Sequence, residues 1–215
     1  AGNVGLILSE GTVIDRPVSR NDPGIPFFHG DEALAGWKLV IDAVHAAGGR
    51  MGPQIWHTGS TIGSKKWDPG HPVESPSGLL APGKPRGEAM SEEAIADAVS
   101  AFARAAADAK RLGFDMVELH GAHGYLIDQF LRDGTNTRSD AYGGSIENRV
   151  RLTLEVVDAV VKVFGKGRVG IRLSPVTPAN DARDSNPQPL FEHLVARLDE
   201  AGLAFIHVIE GGTGG

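Results

Sequence analysis

The 215-residue chain contains no cysteine, which excludes a disulfide framework, thiolate metal ligands and a cysteine nucleophile. Long apolar runs are also missing. None approaches the roughly 18 residues that a membrane-spanning helix needs, and the first residues lack the basic-then-apolar pattern of a signal peptide. Positive charge is in deficit, with 21 Lys and Arg against 27 Asp and Glu for a formal net charge of −6, so the electrostatic footprint of a nucleic-acid binder is absent. There is no internal repeat, heptad series or block of like charge. Disorder is excluded by a hydrophobic content of 41%, since a chain this apolar can bury enough surface to fold. The expectation is a cytoplasmic globular protein with neither nucleic acid nor membrane as partner.

What is plentiful is glycine, 29 residues, about twice the usual frequency, and many glycines stand at the ends of apolar runs where tight strand-to-helix turns require them. Val4–Ser9 reads as a short buried strand. Asp31 opens a helix with Leu34, Trp37, Ile41 and Val44 on one face, ending at Gly48-Gly49. Arg50–His57 is a second strand. Residues 58–90, with five prolines and six glycines, show no apolar period and read as a long loop, either a functional excursion or disordered. Ser91 with Glu92 and Glu93 starts a helix carrying Ile95, Val99, Phe102 and Ala106. Phe114–His120 is the third strand, 121–144 a polar loop, and Ser145 caps a helix with Val150, Leu154, Val157, Val161 and Phe164 on its face. Val169–Leu173 is the fourth strand, Asn186-Pro187 starts the last helix and Leu203–Ile209 is the fifth strand. Strands and helices alternate, and the strands are near-continuous apolar runs, as in a parallel α/β sheet.

Successive side chains of a strand point to opposite faces. If Ile55, Val117, Leu119, Val169, Ile171, Leu173, Ile206 and Val208 face helices, then Gln54, Trp56, Glu118, His120, Arg172 and His207 share the other side. Helices on both faces would bury these polar groups under apolar surface, at a cost of several kcal/mol unless paired. A (β/α)8 barrel explains them better, because its C-terminal mouth is where such folds place chemistry and where the loop of residues 58–90 would lie.

The third strand runs into His120-Gly121-Ala122-His123-Gly124-Tyr125. Two histidines three residues apart with a tyrosine two further on leave three readings open. A metal site would need a third ligand from elsewhere, since no HExxH or CxxC is present. The imidazoles could cap the next helix or bond loop carbonyls. An organic site would use two imidazoles to hold a substrate oxygen and the tyrosine to give a proton.

The stretches His120–Leu131 and Asn136–Arg149, together with Gln54–Gly59 and Ile171–Pro175, closely resemble the signature segments of the old yellow enzyme family of FMN-dependent ene-reductases, in order and in spacing. The resemblance implies that His120 and His123 grip the carbonyl or nitro oxygen of the substrate, the His-x-x-His form of a position that is His-x-x-Asn in other members. It implies Tyr125 as proton donor, Gln54 and Arg172 as contacts to the pyrimidine side of the flavin, Gly11 as a small residue under the flavin ring, and Trp56 as a wall of the substrate pocket. It further implies non-covalent FMN, NAD(P)H as reductant, an electrophilic alkene or nitro compound as substrate, a homo-oligomer as one assembly open to the chain, and no metal.

The family's barrel has eight strands and five are countable here, so a single partial barrel domain over residues 1–215 is expected. The start at Ala1 without methionine and the end at Gly211–Gly215 are expected to be cuts in a longer chain, the glycine run being a tail rather than a phosphate loop. Two other readings stand beside an ene-reductase. One is a non-catalytic barrel fragment that associates with itself to cover its bare sheet edges. The other is a hydrolase using Asp115 and Glu118, which the parity argument disfavours because residues three apart on a strand face opposite sides.

Overall fold

The computed structural model describes residues 4–63, 67–177 and 179–210. Its main sheet has five parallel strands, β1 (Ile7–Val13), β2 (Met51–Trp56), β7 (Val117–Gly121), β8 (Val169–Leu173) and β9 (Phe205–Val208), lying side by side in that order. The spatial order follows the chain order without reversal, which is the topology of a barrel wall and differs from a doubly wound sheet, where the order turns back on itself at a switch point.

The long connections are helices α1 (Asp31–Ala46), α2 (Glu92–Leu112), α5 (Arg151–Phe164) and α6 (Pro187–Ala201). In α2 the Ser91 Oγ accepts the Ala94 N–H at 3.2 Å, and Gly113 closes the helix in the left-handed conformation at φ 94°. The inner faces of these helices and the outward side chains Ile55, Val117, Leu119, Val169, Ile171 and Leu173 form one core. The opposite face of the sheet carries the polar set, as the strand parity requires.

The structure corrects the sequence reading in four places. The first strand begins at Ile7 and continues to Val13, three residues later than expected. It is no buried strand at its start, where Ile7 is 40% exposed; pairing of Ile7, Leu8 and Gly11–Val13 with β2 decides its position, with a register shift between Leu8 and Gly11. The excursion 58–90 is not structureless: it holds β3 (Glu74–Ser75) paired with β6 (Glu88–Ala89), and β4 (Leu79–Ala81) paired with β5 (Lys84–Pro85). The loop 121–144 contains α3 (Leu126–Leu131), all six of whose residues are buried. The helix after Ser145 is interrupted, with α4 (Ile146–Arg149) separated from α5 by Val150. Residues 1–3 and the glycine run 211–215 lie outside the described residues. Among the described residues no helix is long and apolar enough to cross a membrane.

Candidate active site

Adjacent strands bring the inward residues level with one another. Gln54 of β2 is opposite Glu118 of β7, and His120, Arg172 and His207 form one row across β7, β8 and β9. Glu118 is fully buried and sits between two nitrogen partners, Gln54 Nε2 at 2.5 Å and His207 Nδ1 at 3.1 Å. Asp115 lies away from this set, bonded to His45 Nε2 and to the Met51 N–H, each at 2.9 Å. The two carboxylates therefore form no acid–base pair, and the hydrolase reading fails.

Toward the C-terminal ends of β2 and β7 the site becomes aromatic. The Trp56 and His120 rings stack at 5.2 Å between centroids, and Tyr125 stands edge-on to both, at 4.3 Å from Trp56 and 4.9 Å from His120. His123 completes the group at 5.6 Å from His120. Burial, reinforced by the positive charge of His123, Arg172 and His207, drives the His120 pKa down to about 3. Burial and Arg172 likewise lower that of His123, with Asp128 opposing. Burial raises the Tyr125 pKa, with Arg172 opposing. At neutral pH His120 is therefore a neutral imidazole and Tyr125 a phenol that keeps its proton. The Ala122 N–H donates to His120 Nδ1 at 3.3 Å; an acceptor at Nδ1 fixes the tautomer with the proton on Nε2, ready to be donated.

The turn that carries His123 is held by groups that sequence reasoning did not single out. His123 has φ 60°, an uncommon conformation for a residue with a side chain. Its N–H donates to Ser174 Oγ at 2.8 Å and its carbonyl accepts from Asn180 Nδ2 at 2.7 Å. Gly124 follows at φ 73°, where a Cβ would come within 2.8 Å of the Ala179 carbonyl oxygen. The buried Asp128 accepts the Gly124 N–H at 2.9 Å and Arg132 Nε at 2.8 Å. Arg132 in turn donates to the carbonyls of Ser174 at 2.6 Å and Pro175 at 3.1 Å. The four-residue spacing of Asp128 and Arg132 is a helical ion-pair signal in the sequence, but such pairs are ordinarily on the surface, and only the structure shows this one inside.

The excursion after β2 is tied down beside the site. His57 Nε2 meets Glu74 Oε1 at 2.8 Å, and Arg16 Nε donates to the same oxygen at 3.0 Å. Although burial opposes it, bonding to His57 and Arg16 holds the Glu74 pKa down at about 2. Gly11 pairs with Gln54 in the sheet, and a Cβ there would lie 2.8 Å from Trp56 Cε2. The steric demand for glycine visible here comes from the indole of Trp56.

Among the described residues, the buried donors Arg172 Nε and Trp56 Nε1 have no partner. An unsatisfied buried N–H costs about 1–3 kcal/mol, and both are relieved by a ligand that brings acceptors into the sheet's inner face. A flat heteroaromatic ring with carbonyl oxygens and an imide N–H suits the combination of a guanidinium and the Gln54 amide, so the residues present fit a flavin.

The sequence profile of the NADH:flavin oxidoreductase / NADH oxidase family matches residues 1–211. The chain belongs to that family. FMN and a nicotinamide nucleotide are the cofactors that go with it. The chain is 41% identical to 12-oxophytodienoate reductase 7 of Oryza sativa subsp. japonica, covering 96% of this chain and 57% of the relative. It is 42% identical to the flavin oxidoreductase hxnT of Emericella nidulans, covering 98% of this chain and 57% of the relative. Among solved structures, morphinone reductase superposes with a TM-score of 0.90 at 42% identity, over 98% of this chain and 60% of that one. The old yellow enzyme homologue of Zymomonas mobilis does so with a TM-score of 0.89 at 36% identity, over 98% of this chain and 61% of that one. The five-stranded sheet is thus part of an old yellow enzyme barrel, and the chain spans about three-fifths of the length of these relatives.

Proposed function

We propose that the chain carries the substrate-binding part of an FMN-dependent ene-reductase that reduces activated C=C bonds, as in enones and maleimides, and also nitro compounds or nitrate esters, with electrons from NAD(P)H in a ping-pong cycle. The observation that carries this reading is the pairing of a neutral His120 imidazole, its proton on Nε2, with His123 and a protonated Tyr125 around one space. When bound, the flavin supplies the hydride. The protein's own residues do the rest. His120 and His123 donate to the substrate's carbonyl or nitro oxygen and draw electron density from the conjugated double bond, which makes its β-carbon electrophilic. Donors aimed at an oxygen where negative charge develops are worth on the order of 3–4 kcal/mol in a water-poor site. Because both imidazoles have lowered pKa values, they act as hydrogen-bond donors and leave protonation to Tyr125, which places its proton on the α-carbon. Trp56, edge-on to Tyr125 and stacked on His120, fixes both rings. Gln54 and Arg172 face the pyrimidine side of the flavin, and a guanidinium there stabilises the negative charge of the reduced ring.

Exposed strand edges favour a second reading, a barrel fragment that associates with itself: Ile7 on β1 is 40% and Val208 on β9 is 48% exposed. Titrating the purified chain with FMN separates the two. The ene-reductase reading predicts retained flavin absorbance and NAD(P)H oxidation that depends on added 2-cyclohexen-1-one. A chain that takes up no FMN and elutes as a dimer supports the fragment reading instead.

A further inference from the structure

Among the described residues Glu118 is the fully buried carboxylate on the inner face of the sheet that the proposed chemistry leaves without a task, and one of its two partners is Gln54, which the proposal sets against the flavin. Opposite it in β8 stands Gly170, which has no side chain to intervene, so Glu118 reaches across that strand to His207 Nδ1 on β9 at 3.1 Å, while its other oxygen takes Gln54 Nε2 at 2.5 Å. A side-chain amide has two ends of similar shape and opposite polarity, and which end faces which neighbour is decided by its partners. A carboxylate oxygen is an acceptor, so the only end of Gln54 that can pair with it is the NH2. The Gln54 carbonyl is thereby turned away from Glu118, and the bond between the two side chains keeps it so.

We propose that Glu118 is a positioning residue that sets the polarity of Gln54, turning its carbonyl oxygen toward the ring as the acceptor for an imide N–H of the flavin. The inference rests on the flavin reading above. It gives Arg172 and Gln54 complementary tasks on one ring: the guanidinium serves the carbonyl oxygens and the glutamine carbonyl serves the N–H between them. It also explains why a carboxylate stands in the sheet interior where an apolar side chain would cost less to bury, with His207 as the second donor that keeps it satisfied.

The test compares binding of FMN and of 3-methyl-FMN, which lacks the imide N–H, to the parent chain and to Glu118→Gln, followed by flavin fluorescence. The parent should bind FMN about tenfold or more tightly than the methylated analogue, the equivalent of one good hydrogen bond. In Glu118→Gln, whose amide can present either end, that ratio should fall severalfold toward one. The two side chains at position 118 have nearly equal volume, so the bulk of the methyl group cancels between them. A ratio that is the same in both proteins overturns the inference, even if both affinities drop, because a merely structural role weakens the two ligands alike. Failure of the parent to bind FMN at all overturns the flavin reading itself. A second measurement needs no variant: one Gln54 side-chain amide proton should resonate far downfield and stay there on FMN addition, and its return to the range of a solvent-exposed amide would contradict the assigned polarity.

Discussion

At the C-terminal ends of β7 and β8 every charged group that shapes the His123 turn is inside and bonded, with Asp128 0% and Arg132 2% exposed and their partners drawn from Gly124, Ser174 and Pro175. At the outer edge of β1 the opposite holds: Val4, Leu6 and Ile7 are 60%, 39% and 40% exposed, and no strand pairs beyond them among the described residues. The same sheet thus has a self-supporting mouth and unsupported margins. The proposed oxygen-gripping residues His120, His123 and Tyr125 are held by bonds among the described residues, so their arrangement should persist whatever covers the edges. Of the residues proposed to meet the flavin, Gly11 stands on the edge strand β1 and Arg172 beside the edge strand β9, so that side depends on the margins more.

The largest effect should come from the mouth. Asp128→Ala leaves the guanidinium of Arg132 buried without its carboxylate, and breaking a buried pair from one side costs about 3–5 kcal/mol, to be read from urea unfolding. A loss below 1 kcal/mol would show that the turn is held by other means.

Acid should unsettle the mouth and the excursion beside it in separate windows. His120 has a folded pKa of about 3 against an ordinary 6.5, so the unfolded chain binds the proton more readily; its contribution is full above pH 6.5 and is lost as the pH falls toward 3. Glu74 is lowered from 4.5 to about 2, so its contribution is full above 4.5 and is lost between there and 2. Thermal denaturation across this range should show a decline already between pH 6.5 and 4.5, reduced in His120→Asn, and a steeper one below 4.5, reduced in Glu74→Gln. A melting temperature that stays flat from pH 6.5 to 4.5 would contradict the buried, neutral state of His120.

The smallest effect belongs to the margin. Val208→Lys, at a position 48% exposed, should change stability by no more than about 0.5 kcal/mol. A cost of several kcal/mol would mean that another strand or subunit covers β9 in solution.

Much of this arrangement is legible in the sequence because strands enforce a period of two. The alternation in Gln54-Ile55-Trp56 and Glu118-Leu119-His120 separates core from site without any tertiary information, and the structure places Gln54 on Glu118 and Trp56 on His120 accordingly. The strand Val169–Leu173 and the caps Ser91 and Ser145 are equally plain. What escapes is short or buried on all sides. Helix α3 has no polar face to give it a period, since Leu126–Leu131 is wholly inside. The two-residue strands β3 and β6 exist only because Val73, Ser75, Glu88 and Met90 exchange backbone bonds. The clamp of Asp128 and Arg132 becomes visible only when α3 docks against the end of β8.

The chemistry proposed for this site has His120, His123 and Tyr125 acting on a substrate oxygen and its α-carbon. Its most direct test is the anaerobic reaction of the reduced flavin of the holoprotein with 2-cyclohexen-1-one in the parent and in Tyr125→Phe, followed by stopped-flow absorbance. Reoxidation by the enone should slow by a factor on the order of 10²–10⁴, while reduction of the flavin by NAD(P)H stays within a few-fold of the parent. Unchanged reoxidation in Tyr125→Phe would remove the tyrosine from proton transfer and contradict the chemistry assigned to this site.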